Sequence, residues 1–237
     1  MEQAGNRSIA FSRSLPRVPG SWPDLYSVST NRVQIDPLQA IRIREQSGGR
    51  KMGAGVIPFA LSGREIRFLF QTTFSGRKAG HLVDFGGGLG EGENYRETAI
   101  REFVEETETM YFADDLQQAC RTAERVRNQI PVVQALFDTT LAEHPDWWCR
   151  RKPGDPERPK RWKTFFIEFP YRDIQGLNRE WEADKTGRFK KRRELFWVTA
   201  SELLAIYENA PGRLWKRVRQ LENATQTIHS IRQNREP

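Results

Sequence analysis

Residues 87–106 read GGLGEGENYRETAIREFVEE. Read as a helix, the second half of this stretch places Glu102, Glu105 and Glu106 at i, i+3 and i+4, with their carboxylates on one face. Ile100, Phe103, Val104 and Thr107 fall on the other. Like charges at this spacing cost about 0.2–0.5 kcal/mol per pair, and a helix that serves only packing gains nothing from them. A divalent cation would remove the cost, since clustered carboxylate oxygens suit Mg²⁺ or Mn²⁺. Upstream, the apolar run His81 to Phe85 reads as a short strand, and Gly86, Gly87, Gly88, Gly90 and Gly92 follow it. Bare backbone can approach an anion or a cation there. Strand, glycine loop and glutamate-bearing helix therefore specify a place where phosphates and metal could meet. No G-x-x-x-x-G-K-[ST] motif is present, and a dinucleotide fingerprint would not put a carboxylate cluster toward the phosphates.

The stretch resembles the Nudix box, G-x5-E-x7-R-E-U-x-E-E-x-G-U, in which U is a bulky apolar residue. Gly87, Glu93, Arg101, Glu102, Phe103, Glu105 and Glu106 stand at the matching positions. The last two positions depart: Glu108 replaces the glycine and Thr109 the apolar residue. A glycine there would end the helix with positive φ, a conformation that costs a side-chain-bearing residue about 1 kcal/mol. The resemblance implies an α/β fold, an α/β/α sandwich with a mixed sheet between helices. It implies hydrolysis, with Mg²⁺ (or Mn²⁺), of a diphosphate linkage in a nucleoside diphosphate derivative or related polyphosphate. Glu102, Glu105 and Glu106 would then be metal ligands, joined by the backbone of Gly87. Arg101 and Glu93 would support them, so that Glu105, Glu106, Arg101 and Glu93 form the catalytic set. Gly86, Gly87 and Gly88 would border the substrate. Family members often recruit a further acid from elsewhere, for which Glu182, Asp184 and Glu194 are candidates, and many form dimers. Two other functions remain open: a binding or regulatory module that keeps the fold without turnover, and hydrolysis of RNA 5′ ends.

Composition sets the outer limits. A chain of 237 residues suits one domain with additions. Its formal charge of +7 agrees with an anionic partner, and much of it lies in two runs, Arg150 to Lys163 and Arg188 to Arg193. Most such runs are solvated faces, but two runs bordering the glycine loop would make a positive rim that concentrates a polyanion or RNA. No apolar stretch approaches 18 residues, so no membrane span is expected. Cys120 and Cys149 do not make a disulfide framework, and a reducing cytoplasm is the default. Arg7, Arg13 and Arg17 among serines faintly resemble an organellar transit peptide.

Along the chain, residues 1–50 read as an extension, with Arg32 to Ile35 as a short segment for packing on the domain. Residues 51–210 read as the domain and 211–237 as a C-terminal helix and tail. Ala54 to Leu61 and Glu65 to Thr73 predict a hairpin across Ser62-Gly63-Arg64. A helical insertion is expected over about 110–150, with helices at Ala113 to Asn128 and Val132 to His144 and Pro131 opening the second. Strands are expected at Trp162 to Phe169 and Glu194 to Val198. Thr199 with Glu202 forms a capping box that opens a helix to about Glu208. A last helix is expected from Gly212 into the 220s, with fraying after His229. Trp147, Trp148, Trp162 and Trp181 suit core burial better than base stacking.

Overall fold

In the computed structural model, residues 52–152 and 161–236 are described. The extension at 1–50, the Arg32 to Ile35 segment, the arginines near the N-terminus and part of the first basic run fall outside them. The hairpin forms as expected: β1 (Met52–Ser62) pairs antiparallel with β2 (Glu65–Thr73). Gly63 turns it at φ +67°, where a β-carbon would be strained. β1 also pairs in parallel with β5 (Arg161–Glu168), and β2 antiparallel with β6 (Arg193–Thr199). β4 (Trp148–Arg150) closes one edge, giving a six-stranded mixed sheet in the order β4-β5-β1-β2-β6. β3 (Phe85–Gly88) lies off that path on the first half of β1, while Val83 bridges Gln71 of β2. The chain from Val83 to Gly88 therefore fills the fork where β1 and β2 part.

Alternation along the strands builds two cores. Leu69 faces one and Phe68 and Phe70 the other. On the first face lie α1 (Tyr95–Glu106), α2 (Ala123–Glu143) and α3 (Gln175–Ala183), burying Phe103, Val104, Phe137 and Trp181 against Val56, Phe165 and Leu195. Phe103 meets Phe85 at 5.0 Å and Phe169 at 4.8 Å between ring centroids. On the second face lie α4 (Ala200–Asn209), the single turn α5 (Lys216–Arg219) and α6 (Ala224–Arg235). Leu203, Ile206, Ile228 and Ile231 are buried there. This is the expected α/β/α arrangement, and among the described residues no helix is long and apolar enough to cross a membrane.

Several elements differ from the sequence expectation. Pro131 does not open a second helix; α2 runs through it, after a short 3₁₀ turn at Leu116–Gln118. Its missing N–H leaves the Arg127 carbonyl without a helical donor, and the burial of Val126, Val133 and Phe137 carries the helix across the defect. The strand placed at His81 begins only at Phe85, because Leu82 and Val83 bridge to Leu214 and Gln71 instead. The last helix divides into the 3₁₀ turn Pro211–Arg213, α5 and α6, with Asn223 left-handed at φ 58° between the last two. Residues 230–235 are helical, not frayed, since Ile231 is buried and Arg235 pairs with Glu143 and Glu168. β4 and α3 had no clear signal in the sequence. Trp147 and Trp181 are buried core residues, and the Thr199 capping box is present.

Candidate active site

α1 starts at Asn94, whose side chain accepts from the N–H groups of Arg96 and Glu97 while the Glu97 carboxylate accepts from the Asn94 N–H at 2.9 Å. A reciprocal cap of this kind contributes about 1 kcal/mol and fixes where the helix begins. From there the helical repeat carries Arg101 over the glycine loop. Its guanidinium donates to both oxygens of Glu93, at 2.6 and 3.0 Å, and to the Gly88 carbonyl at 3.2 Å. The same group reaches Glu102 at 2.9 Å and Glu105 at 3.2 Å. Arg101 thus ties loop to helix. Hydrogen bonds from Arg101, from the Gly90 N–H and from Thr98 hold the Glu93 carboxyl down at about 2, against burial that acts the other way. Arg101 is pushed up in turn, chiefly by Glu93.

Gly87 lets the Glu102 carboxylate close on the loop backbone; a β-carbon there would push the carboxylate aside. Burial, with the charges of Glu106 and Glu105, raises the Glu102 carboxyl above its ordinary value, although Arg101 opposes the shift. Glu105 also pairs with Arg121, from the segment leading into α2. Glu106 behaves differently from its two neighbours. It is 7% exposed, and its carboxylate accepts from Gln71 at 2.6 Å, the Gly86 N–H at 2.8 Å and Arg193 at 3.0 Å. Arg193 also donates to Gln71. The glutamates do share a side of α1, but Glu106 lies where that side meets the sheet.

The structure therefore gathers Gly86 to Gly88, Glu93, Arg101, Glu102 and Glu105 into one patch with Glu106 on its inner edge. Among the described residues, no three carboxylate, imidazole or thiol side chains converge as a preformed metal cage. Mg²⁺ seldom uses one; it takes one or two carboxylates and completes its shell with waters and substrate phosphates. Glu102 and Glu105, mutually repelling and facing arginines, fit that demand. Glu106 already has its oxygens engaged by Arg193, Gln71 and Gly86.

The two positions that depart from the box have taken other work. Glu108 and Thr109 are both left-handed, at φ 51° and 61°, and both are buried. The Glu108 carboxylate accepts from the N–H groups of Lys190 and Lys191 at 3.1 and 3.3 Å. Thr109 donates to the Cys120 carbonyl and accepts from Gln129 through its own. The helix exit is thus stapled to two later segments, which offsets the strain of its backbone.

The acids proposed from outside the box have settings of their own. Asp184 accepts from the backbone N–H groups of Phe189, Thr186 and Arg188, shaping the turn before β6, and these bonds hold its carboxyl at about 2. Glu182 is exposed on α3, and Glu194 alternates to the face of β6 opposite Arg193. His81 donates locally from its ring Nδ1 to the Ala79 carbonyl and meets Trp215 edge-on. Of the basic runs, Lys163 lies over Trp148 and Tyr95, and among the described residues the second run touches the glutamates, through Arg193. Sequence reading missed Gln71, Arg121 and Arg193 as partners of the box. Gln71 had a signal, a polar residue at an inward position of an apolar strand.

Solved structures with a related arrangement of elements include Nudix hydrolases. An Ap4A hydrolase from C. elegans, in a binary complex, is 14% identical over 78% of this chain and 98% of its own, with a TM-score of 0.43. A Nudix hydrolase from Alicyclobacillus acidocaldarius is 14% identical over 77% and 89%, with a TM-score of 0.37. One from M. smegmatis is 13% identical over 78% and 86%, with a TM-score of 0.35. No family model and no curated protein matches the chain. At such identities the likeness concerns strands and helices only.

Proposed function

We propose that the chain is a Nudix-type pyrophosphohydrolase that cleaves a diphosphate linkage in a phosphorylated small molecule with Mg²⁺ (or Mn²⁺). One observation supports this reading above the others: Glu102 and Glu105 stand on one helix face beside a glycine strand, with arginines as their partners. Glu102, Glu105 and the Gly87 backbone would hold the cation, which when bound neutralises phosphoryl charge and lowers the pKa of a coordinated water. The chain's own residues do the positioning. Arg101, anchored on Glu93 and the Gly88 carbonyl, sets the distance between loop and helix. Gly86 to Gly88 leave no side chain between the backbone and a diphosphate. Glu106 fixes Gly86 through its N–H. In the reaction a water oxygen bonds to one phosphorus while the bridging P–O bond to that phosphorus breaks. The bridging oxygen leaves on the second phosphate, and the water's protons pass to solvent through a carboxylate.

The test is hydrolysis of a panel comprising ADP-ribose, NADH, dinucleoside polyphosphates, nucleoside triphosphates, diphosphoinositol phosphates and capped RNA, with Mg²⁺ titrated. Glu105→Gln should lower turnover by about 10²-fold or more while the fold is retained. Full activity in that variant would remove Glu105 from the metal site. Binding of a panel compound that the unmodified protein never cleaves would select a ligand-binding module instead.

A further inference from the structure

At the outer ends of β2 and β6 a cavity of about 440 Å³ opens beside the inner edge of the glutamate patch. Arg77, Lys78, Lys191, Arg192 and Arg193 line it, with the rings of Phe74 and Trp215. No acid lines it. Among the described residues, Arg77, Lys78, Lys191 and Arg192 have no ion-pair partner. A solvated basic face would spread its cations apart; these come from separate segments and converge. Three features fix parts of this lining. Arg193 is 3% exposed and fixed between Glu106 and Gln71. Lys190 and Lys191 are pinned through their N–H groups by the buried Glu108 carboxylate. Lys78 is sunk far enough that burial disfavours its charge, and Glu106 is near enough to favour it. At the rim, Phe74 is 53% exposed with the Arg192 guanidinium 4.7 Å above its ring.

We propose that this basic cup binds the phosphate-rich end of the substrate, a small molecule bearing three or more phosphates, and so presents the linkage to be cut to Glu102 and Glu105. The inference rests on the hydrolase reading for its second half only. Charge decides the class. Four unpaired cations call for about four negative charges, which a terminal phosphate of about −1.5 to −2 with two further phosphates provides. A lone diphosphate between two ester groups, as in ADP-ribose or NADH, falls short. Arg193 joins cup to patch, because its guanidinium contacts Glu106 directly.

The experiment measures binding of adenosine tetraphosphate, inositol hexakisphosphate and ADP-ribose to the full chain by calorimetry, without and with Mg²⁺, at two salt concentrations. Both polyphosphates should bind at least tenfold tighter than ADP-ribose. Preference for the adenosine compound identifies a nucleoside polyphosphate, whose base the Phe74 and Trp215 rings would meet; preference for the inositol compound identifies a cyclitol polyphosphate. Lys191→Ala with Arg192→Ala, at exposed positions that should not disturb folding, should lower polyphosphate affinity at least tenfold, flatten its salt dependence and leave ADP-ribose binding unchanged. Equal affinity for all three ligands, or an unchanged affinity in the double variant, would overturn the cup and leave the hydrolase standing. Tighter binding of a 5′-monophosphate RNA than of either polyphosphate would overturn it too. Binding of adenosine tetraphosphate with no cleavage of it or of any compound in the hydrolysis panel by the unmodified protein would retain the cup and sink the hydrolase.

Discussion

Glu93 is the residue that ties the stability of the site to acid, at a lower pH than Glu102, whose carboxyl is raised. Its folded pKa of about 2 lies below the ordinary 4.5, so the stability it contributes is fully present above about pH 4.5 and is lost as pH falls toward 2. Urea midpoints measured from pH 6 down to 2.5 should decline over that window, and Glu93→Gln should flatten part of the decline; an unchanged slope would detach Glu93 from Arg101. The Arg101 and Glu93 pairing was legible because its spacing within one loop and helix is local. The setting of Glu106 was not. That residue meets Gln71 and Arg193, which the register of β2 with β6 brings alongside α1, and no spacing within the box encodes a register. Glu108 was legible only as an anomaly. Its partners at Lys190 and Lys191 lie 82 and 83 residues further on.

At the scale of elements, α2 shows how tertiary packing overrides a local breaker. Pro131→Ala would restore one N–H and remove the ring's clash with the Arg127 carbonyl. Thermal unfolding should therefore shift upward by the equivalent of about 1–3 kcal/mol, with turnover unchanged; a lower melting point would mean that the bend at Pro131 is needed for Val133 and Phe137 to reach the core. The hairpin, β5, β6 and α4 could be read from alternation, apolar runs and a capping box, signals confined to a few residues each. β4 and α3 could not. β4 is a three-residue strand that exists through its partner β5. α3 opens without a side-chain cap, and is held by burial of Leu177 and Trp181 and by Asn178 bonding the Leu195 backbone.

The whole molecule places two kinds of site side by side. Glutamates, arginine and glycine loop come from one continuous stretch, whereas the basic cup needs Phe74 to Lys78, Lys191 to Arg193 and Trp215 together. Buried Asp84, paired with Arg217 at 2.6 Å, ties that last segment to the chain just ahead of β3. Closing such separations costs entropy that local structure does not. In time, then, the two sites should not appear together. On refolding from denaturant, helical signal should rise first, and polyphosphate binding should wait until β6 and the chain through α5 have docked. Stopped-flow ellipticity followed against binding-induced change in tryptophan fluorescence should separate the two phases. Coincident phases would mean that both sites form in one step. On the proposed reading, a chain that acquires its glutamate patch before its basic cup has no discrimination until it is fully folded.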